Sequence, residues 1–231
     1  MCWRTTYAPQ KNKSISVLTE NDKKTTITTD LTHNYGFRNS PYYNITIMNY
    51  LVTGLICSGK STFLDLAKKY SFDTIKSDDI VSNLYNDQSI VHEIEKYLDI
   101  EHNQDNLEET VKTLFFTSKK NREIIEAIFH PVVHEMISNS LDISQNLMVE
   151  LPPIINNYKL FQKYKSIYIE ANREIRLGRF SKRNSDSTYF DKINTLQGDF
   201  KLIKDTCDLV IHNNNDTDTL NKHFERGIIK K

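Results

Sequence analysis

The chain has 231 residues, enough for one α/β domain with a hydrophobic core and an appendage. Its 30 basic and 30 acidic residues cancel, so it lacks the basic excess typical of general nucleic-acid binding. No apolar run approaches the roughly 20 residues of a membrane span, and the N-terminus lacks the apolar core of a signal peptide. The composition therefore predicts a cytoplasmic protein that contacts neither nucleic acid nor a membrane.

Residues 1–47 are predicted to be an N-terminal extension, irregular for the most part. They are rich in Thr, Asn and Lys and have few aliphatic residues. Met48 stands directly before the first strongly apolar segment, so a complete domain over residues 48–231 can begin there. An additional strand or a docking arm is the alternative interpretation of the extension.

From about residue 45 the chain alternates strand patterns with helical patterns. Five strands are predicted, at 45–53, 73–77, 147–151, 166–171 and 207–212. Helical spacing predicts helices from residue 86 to about 141, with Pro131 in the first turn of a new helix, and a basic helix over 173–183. This alternation predicts an α/β fold with a mostly parallel five-stranded sheet between two helical layers.

A phosphate-binding loop is predicted between the first strand and the first helix. Residues 54–61 fit the pattern G-x-x-x-x-G-K-[ST], and chance is a poor alternative because the chain has only six glycines. Glycines let the backbone amides approach phosphate oxygens, a lysine supplies a mobile charge, and a serine hydroxyl suits Mg²⁺. The predicted contacts to ATP are Gly54, Ile56, Cys57, Ser58, Gly59, Lys60, Ser61 and Thr62, with Ser61 also the Mg²⁺ ligand. The Cys57 thiol is either a reactive group or a neutral occupant of the loop.

Asp78 follows the second strand, at the sheet edge where the loop also lies. A carboxylate there can orient and deprotonate an attacking hydroxyl group. Capping of the next helix by Ser77 or Asp78 is the alternative, and both roles can coexist at neighbouring positions. Asp79 is assigned to capping or to Mg²⁺ support.

Four arginines of the basic helix share one face because they are spaced by three, three and four residues: Arg173, Arg176, Arg179 and Arg183. Arginines on a closing lid stabilise the charge that develops during phosphoryl transfer. A solvated charged face is the usual meaning of such a run, but the phosphate loop favours the lid, with Arg179 and Arg183 as its catalytic members.

The pair His130 and His134 has the spacing of zinc ligands but lacks the glutamate and the further ligands of a zinc site. A histidine before a proline is more often a helix-entry residue than a catalyst. Glu150, at the end of an apolar strand, either caps a neighbouring helix or faces the nucleotide site.

Taken in order, the segments VTGLICSGKST, IKSDDI, EAIFHPVV, VELPPI, EIRLGRFSKRN, INTLQGDF and CDLVIHNN resemble those of dephospho-CoA kinases. The similarity covers about residues 48–220. It implies a P-loop kinase core with a helical CoA-binding region, at about 86–141, and a lid, at about 173–200. It also implies ATP-dependent phosphorylation of the ribose 3′-hydroxyl of dephospho-CoA, with these small molecules as partners.

The resemblance assigns roles to matching residues. Asp78 matches the general base, and Arg179 and Arg183 match the lid arginines. His130 and Pro131 match a pair in the CoA-binding region. Asp208 and Asn213 match an acid and an amide of the last strand, near which the adenine is expected.

The chain departs from the family pattern in four ways: Lys76 replaces an acid, His134 a basic residue and Asn156 a glutamate, and the Asp-Arg pair usual before the helix at Leu107 is not evident. They bear on how the acceptor is recognised. Two alternative functions therefore stay open at this stage. One is a P-loop kinase acting on another nucleotide or nucleoside, and the other is a non-catalytic ATP-binding relative.

Overall fold

The computed structural model describes residues 48–100, 106–183, 187–198 and 200–229, and the predicted extension lies outside them. The strands are β1 (Tyr50–Thr53), β2 (Asp73–Lys76), β3 (Leu147–Glu150), β4 (Ser166–Glu170) and β5 (Leu209–His212). The helices are α1 (Lys60–Lys69), α2 (Ser77–Leu84), α3 (Gln88–Leu98), α4 (Leu107–Thr117), α5 (Lys119–Ile143), α6 (Tyr158–Lys163), α7 (Arg173–Ser181), α8 (Ser187–Leu196), α9 (Phe200–Thr206) and α10 (Thr217–Phe224). A short 3₁₀ turn covers Ile155–Asn157, and a π-helical turn covers Glu225–Ile229.

The strands form one parallel sheet in the order β2-β3-β1-β4-β5, which confirms the predicted five-stranded α/β fold. In its centre, Val52 of β1 lies opposite Glu150 of β3 on one side and Ile167 of β4 on the other. Because all strands run the same way, the carboxyl ends of β1, β2 and β3 meet at one edge of the sheet. The candidate site lies at this edge.

Strand residues alternate between two hydrophobic cores because successive side chains point to opposite faces of a sheet. Leu51 packs into a core with the helices α2–α6, whereas Tyr50 and Val52 pack into a second core with α1 and α10. Phe63 of α1 and Phe224 of α10 are fully buried in this second core. The sheet is therefore covered on both faces, which gives the predicted three layers.

Pro131 was predicted to lie in the first turn of a new helix, and this prediction is wrong. It lies inside the 25-residue helix α5. A proline there leaves the carbonyl of Ala127 without its usual donor. Phe129 and Val133, on either side, are both buried in the core, while Pro131 itself is exposed. Core packing on both sides therefore holds the helix continuous across the missing hydrogen bond.

The basic helix ends earlier than predicted. Helix α7 stops at Ser181, so Arg183 lies beyond its last turn and does not share its regular face. None of the helices in the described ranges is both long enough and apolar enough to cross a membrane.

Candidate active site

The loop between β1 and α1 is shaped by two glycines with positive φ. Gly54 has φ 148°, and a Cβ atom there would lie 2.3 Å from the carbonyl oxygen of Ile169. Gly59, which caps α1, has φ 106°, and its Cβ would lie 2.1 Å from Nδ2 of Asn213. Side chains are excluded at both positions, so the loop backbone turns closely enough to present its amides and the N-terminus of α1 to an anion.

Lys60 is held at the base of this loop. Its Nζ donates to the carbonyl oxygens of Gly54, at 2.9 Å, and Leu55, at 3.3 Å, and lies 3.7 Å from Oε1 of Glu150. Burial lowers the pKa of Lys60 and raises the pKa of Glu150, and the opposite charge of each partner offsets part of the shift. Ser61 Oγ donates to the second oxygen of Glu150 at 3.5 Å. Of the two alternatives for Glu150, the structure therefore supports the contact with the nucleotide loop.

A cavity of about 290 Å³ opens over this loop, and we call it the donor cavity. It brings together most of the predicted nucleotide contacts with both predicted lid arginines: Cys57, Gly59, Lys60, Ser61, Thr62, Arg179, Arg183 and Asn213. Burial raises the pKa of the Cys57 thiol despite the four nearby cations, which favours the neutral occupant over the reactive thiol.

Ile56 lies outside the donor cavity, and other side chains hold both polar groups of its backbone. Its N–H donates to Oε1 of Gln197 at 2.8 Å, and its carbonyl oxygen accepts from Arg176 at 3.3 Å. Arg176 is buried and also donates to Oδ1 of Asn194 at 2.8 Å. Residues that follow β4 therefore fix the loop at Ile56, and sequence reasoning assigned no role to Gln197 or Asn194.

Arg179 and Asn213 tie the loop to the last strand. Arg179 donates to the carbonyl oxygens of Ser58, at 3.1 Å, and Asn213, at 2.9 Å. Nδ2 of Asn213 donates to the same Ser58 oxygen at 2.7 Å. Arg183 is exposed, and its side chain makes no hydrogen bond or ion pair with another residue in the described ranges, so its guanidinium faces the donor cavity uncommitted.

The expected place of Asp208 beside the adenine is wrong. Its carboxylate accepts from the backbone N–H of Ser166 at 2.8 Å and from Nζ of Lys165 at 2.7 Å. These residues stand at the start of β4, and Asp208 itself precedes β5, so it lies at the amino edge of the sheet. Asn213 follows the carboxyl end of β5 and is the member of the matched pair that reaches the site.

Asp78 lies in the first turn of α2, directly beyond β2. The structure does not support the alternative in which Ser77 or Asp78 caps this helix, because Lys76 occupies the cap position and no side chain bonds there. Asp78 lines the second cavity instead, and its charge adds to the effect of burial that raises the pKa of Glu150. Its carboxylate is therefore directed to the reaction side of the sheet.

This second cavity, of about 940 Å³, is called the acceptor cleft. Its walls combine the aromatic rings of Phe115 and Phe116 with the cations Lys119 and Arg122, and His130 stands farther along α5. Burial, with the neighbouring His134, lowers the pKa of His130 to about 4, so its ring is neutral at pH 7. Pro131 points away to solvent and is absent from the cleft wall.

The donor cavity and the acceptor cleft share a wall formed by Cys57, Lys60, Ser61 and Arg183. Within the described ranges, no cluster of three or more His, Cys, Asp or Glu side chains is arranged to hold a metal ion. A phosphate loop on a parallel sheet, with two cavities meeting at its lysine, defines a P-loop kinase.

The comparisons agree with this class. The fold is similar to the crystal structure of TT1252 from Thermus thermophilus, with a TM-score of 0.62 and 18% identity over 78% of this chain and 95% of that one. It is also similar to dephospho-CoA kinase from Campylobacter jejuni, with a TM-score of 0.55 and 20% identity over 78% of this chain and 98% of that one. These likenesses support the fold.

Sequence comparison identifies the family. The dephospho-CoA kinase family model matches residues 50–219, and a dephospho-CoA kinase of Blochmanniella pennsylvanica is 29% identical over 194 residues, covering 77% of this chain and 90% of that protein. The chain belongs to the dephospho-CoA kinase family. It is a kinase of coenzyme A biosynthesis that uses ATP to phosphorylate dephospho-CoA.

Proposed function

We propose that this chain transfers the γ-phosphoryl group of ATP to the ribose 3′-hydroxyl of dephospho-CoA where the donor cavity meets the acceptor cleft. The observation that carries the proposal is their shared wall, in which Lys60 and Ser61 belong to both cavities. A triphosphate over the loop places its terminal phosphate at this wall. An acceptor hydroxyl that enters from the other side can then attack in line.

On the donor side, the loop amides and Lys60 hold the β- and γ-phosphates. Lys60 is suited to this role because its ammonium group is largely buried and, among the described residues, bonds only to loop carbonyls and Glu150, so a phosphate is a stronger partner than these. The adenine lies toward Asn213 and the start of α10, where Thr217 and Leu220 complete the cavity.

On the acceptor side, Asp78 accepts the proton of the 3′-hydroxyl group. The hydroxyl oxygen forms the new bond to the γ-phosphorus while the bond to the bridging oxygen breaks, and ADP leaves. Because the transition state of phosphoryl transfer is loose, positioning and charge contribute more than the base does.

Mg²⁺ fits the donor set at the junction. Ser61 offers a hydroxyl oxygen beside the carboxylate of Glu150, and both are the hard oxygen donors that Mg²⁺ prefers. Few protein ligands are required, because this ion keeps several waters and binds phosphate oxygens directly. When bound, it neutralises charge on the phosphates. Ser61 would hold the ion directly in this proposal, and the carboxylates of Glu150 and Asp78 would support it.

The two lid arginines have different roles in this proposal. Arg179 is committed to the carbonyl oxygens of Ser58 and Asn213, so it holds the loop in shape beside the phosphates. Arg183 lines both cavities and is uncommitted among the described residues, so it is the arginine that moves onto the γ-phosphate. Small molecules are the partners in this proposal, and the cytoplasm is the compartment.

The mechanism is tested by comparing the variants Lys60→Ala and Asp78→Asn in steady-state assays. Loss of a positioned base lowers kcat by about 10²–10⁴-fold. We expect Lys60→Ala to lower kcat at least as much as Asp78→Asn does, since charge at the phosphates is the larger contribution. Near-normal turnover in Lys60→Ala would overturn the mechanism.

The acceptor is tested with a panel of dephospho-CoA, nucleosides and nucleoside monophosphates, each with Mg-ATP. We expect dephospho-CoA alone to be phosphorylated efficiently. Transfer to a nucleoside monophosphate with dephospho-CoA untouched would favour the rival kinase. ATP binding without transfer to any acceptor would favour the non-catalytic relative.

A further inference from the structure

Two histidines of α5 face two asparagines of the 3₁₀ turn that follows β3. The rings of His130 and His134 are parallel within 2°, with centroids 5.7 Å apart. Asn156 contacts the first ring and Asn157 the second. His134 and Asn156 are two of the four departures from the family pattern, so these two departures lie together in the fold.

Asn157 fixes the proton of His134. This asparagine is 2% exposed, and its Nδ2 donates to the carbonyl oxygen of Pro152 at 2.8 Å. Its Oδ1 therefore faces Nε2 of His134, at 2.7 Å, and can only accept. His134 consequently carries a proton on Nε2 and donates it in a hydrogen bond to Asn157, so this ring stabilises the turn.

Asn156 fixes the proton of His130 in a different way. Its Nδ2 lies 2.8 Å from Nδ1 of His130 and 3.3 Å from Oε2 of Glu126. A carboxylate accepts hydrogen bonds, so the NH₂ side of the amide faces Glu126, and its second hydrogen points to the ring. Nδ1 of His130 is therefore an acceptor, and the neutral ring must carry its single proton on Nε2.

The Nε2 proton of His130 remains available. This nitrogen makes no hydrogen bond within the described ranges, and the ring lines the acceptor cleft. On the same stripe of α5, Lys119 and Arg122 also reach the cleft. A neutral donor at this position suits an oxygen of a bound acceptor and adds no charge to the cleft.

We propose that Asn156 is a positioning residue for acceptor binding: by donating to Nδ1, it fixes the His130 tautomer whose Nε2–H donates to an oxygen of dephospho-CoA. This inference rests on the proposed function for the identity of the acceptor. Asn156 then stands where the resemblance implies a glutamate, and acceptor recognition is kept with a neutral donor.

The first test reads the tautomer directly in ¹⁵N-histidine-labelled protein without substrate, by long-range ¹H–¹⁵N correlation NMR at pH 7. We expect His130 to be protonated on Nε2 and unprotonated on Nδ1. In Asn156→Leu, whose side chain cannot donate a hydrogen bond, we expect signals of both tautomers. A wild-type His130 protonated on Nδ1 would overturn the proposal, and this arm needs no enzymatic activity.

The second test separates acceptor binding from stability. Losing one hydrogen bond with a net contribution of about 0.5–1.5 kcal/mol weakens binding about two- to tenfold. We expect Asn156→Leu to raise the KM for dephospho-CoA by this factor and to leave the KM for ATP unchanged. Asn139→Leu is the matched control, because Asn139 is exposed on α5 and makes no side-chain hydrogen bond within the described ranges.

In a His130→Ala background, Asn156→Leu should add no further increase, because it acts through the ring. Additive effects, or equal increases in both KM values, would contradict the proposal. If the wild type phosphorylates no dephospho-CoA, the proposed function fails. Calorimetric binding of dephospho-CoA to the same variants then decides the role of Asn156, with an unchanged affinity in Asn156→Leu as the contradicting result.

Discussion

Gly59→Ala should damage both stability and nucleotide binding, and the structure gives the size of the effect. A side chain at φ 106° costs about 1–2 kcal/mol. The added Cβ would lie 2.1 Å from Nδ2 of Asn213, whose amide bonds Ser58 and is almost fully buried. Displacing that amide costs a further 1–3 kcal/mol, on the order of a buried hydrogen bond left unmade. The free energy of unfolding should therefore fall by about 2–5 kcal/mol.

Gly178→Ala is the matched control, since Gly178 lies within α7 with no atom within 4 Å of the added Cβ. Alanine in a helix is more stable than glycine by about 0.5–1 kcal/mol, so this variant should gain stability. Urea denaturation measures both changes, and calorimetry measures ATP affinity. We expect Gly59→Ala to weaken ATP binding at least about tenfold, equivalent to about 1.4 kcal/mol, and Gly178→Ala to leave it unchanged.

The reasoning is refuted if Gly59→Ala loses less than about 1 kcal/mol, the lower limit of the backbone cost alone. The contribution of Asn213 is isolated by repeating the substitution in an Asn213→Ala background. There the obstruction is gone, and only the backbone cost of about 1–2 kcal/mol should remain. An equal loss in both backgrounds would show that Asn213 is not the obstacle.

Three further predictions follow from the structure. Burial raises the pKa of Glu150, so its protonation occurs closer to neutral pH and should lower kcat/KM for ATP on the acid side of the pH profile. Glu150→Gln should remove this acid-side decrease. An unchanged profile would contradict the prediction. Phe224→Ala should lower the free energy of unfolding by about 3–5 kcal/mol in urea denaturation, since this fully buried ring packs against three other aromatic rings; a loss below 1 kcal/mol would contradict it. The pKa of His130 drops from 6.5 to about 4 on folding, so the unfolded state takes up a proton first, and the free energy of unfolding decreases as the pH falls from about 6.5 to about 4. His130→Gln should lose less stability over the same pH range in urea denaturation. Identical pH dependence of the two proteins would refute the burial argument.

The phosphate loop and the sheet could be predicted because their signals are local. The loop pattern needs glycines at two fixed positions, and the structure shows positive φ at both Gly54 and Gly59. The strands are marked by short apolar runs, and their parallel order follows from the helices between them. As a result, Tyr50, Leu51 and Val52 are all buried but alternate between the two hydrophobic cores.

The errors arose where tertiary packing overrides a local preference. Proline favours the first turn of a helix, but at Pro131 the buried neighbours Phe129 and Val133 keep α5 continuous. The alternative of a cap at Ser77 or Asp78 fails for the same reason: serine and aspartate favour helix caps, but α2 begins directly where β2 ends, so Ser77 is already inside it. Neither outcome is visible in the few residues around each site.

The contacts that sequence reasoning missed join distant parts of the chain. Gln197 accepts from the N–H of Ile56, 141 residues away, and a single glutamine carries no pattern that indicates such a partner. The pairing of His130 with Asn156 also depends on how α5 packs beside the turn after β3. Glu150 was left with two alternatives because its strand fixes its position at the sheet edge but not its partner.

The most direct test of the account is the reaction of the purified protein with Mg-ATP and dephospho-CoA, followed by ³¹P NMR. We predict one ADP for each coenzyme A formed and a new phosphomonoester on the ribose 3′ oxygen. Hydrolysis of ATP without transfer, or a phosphate at another position, would contradict the central claim that the donor cavity and the acceptor cleft meet at Lys60 to phosphorylate this hydroxyl.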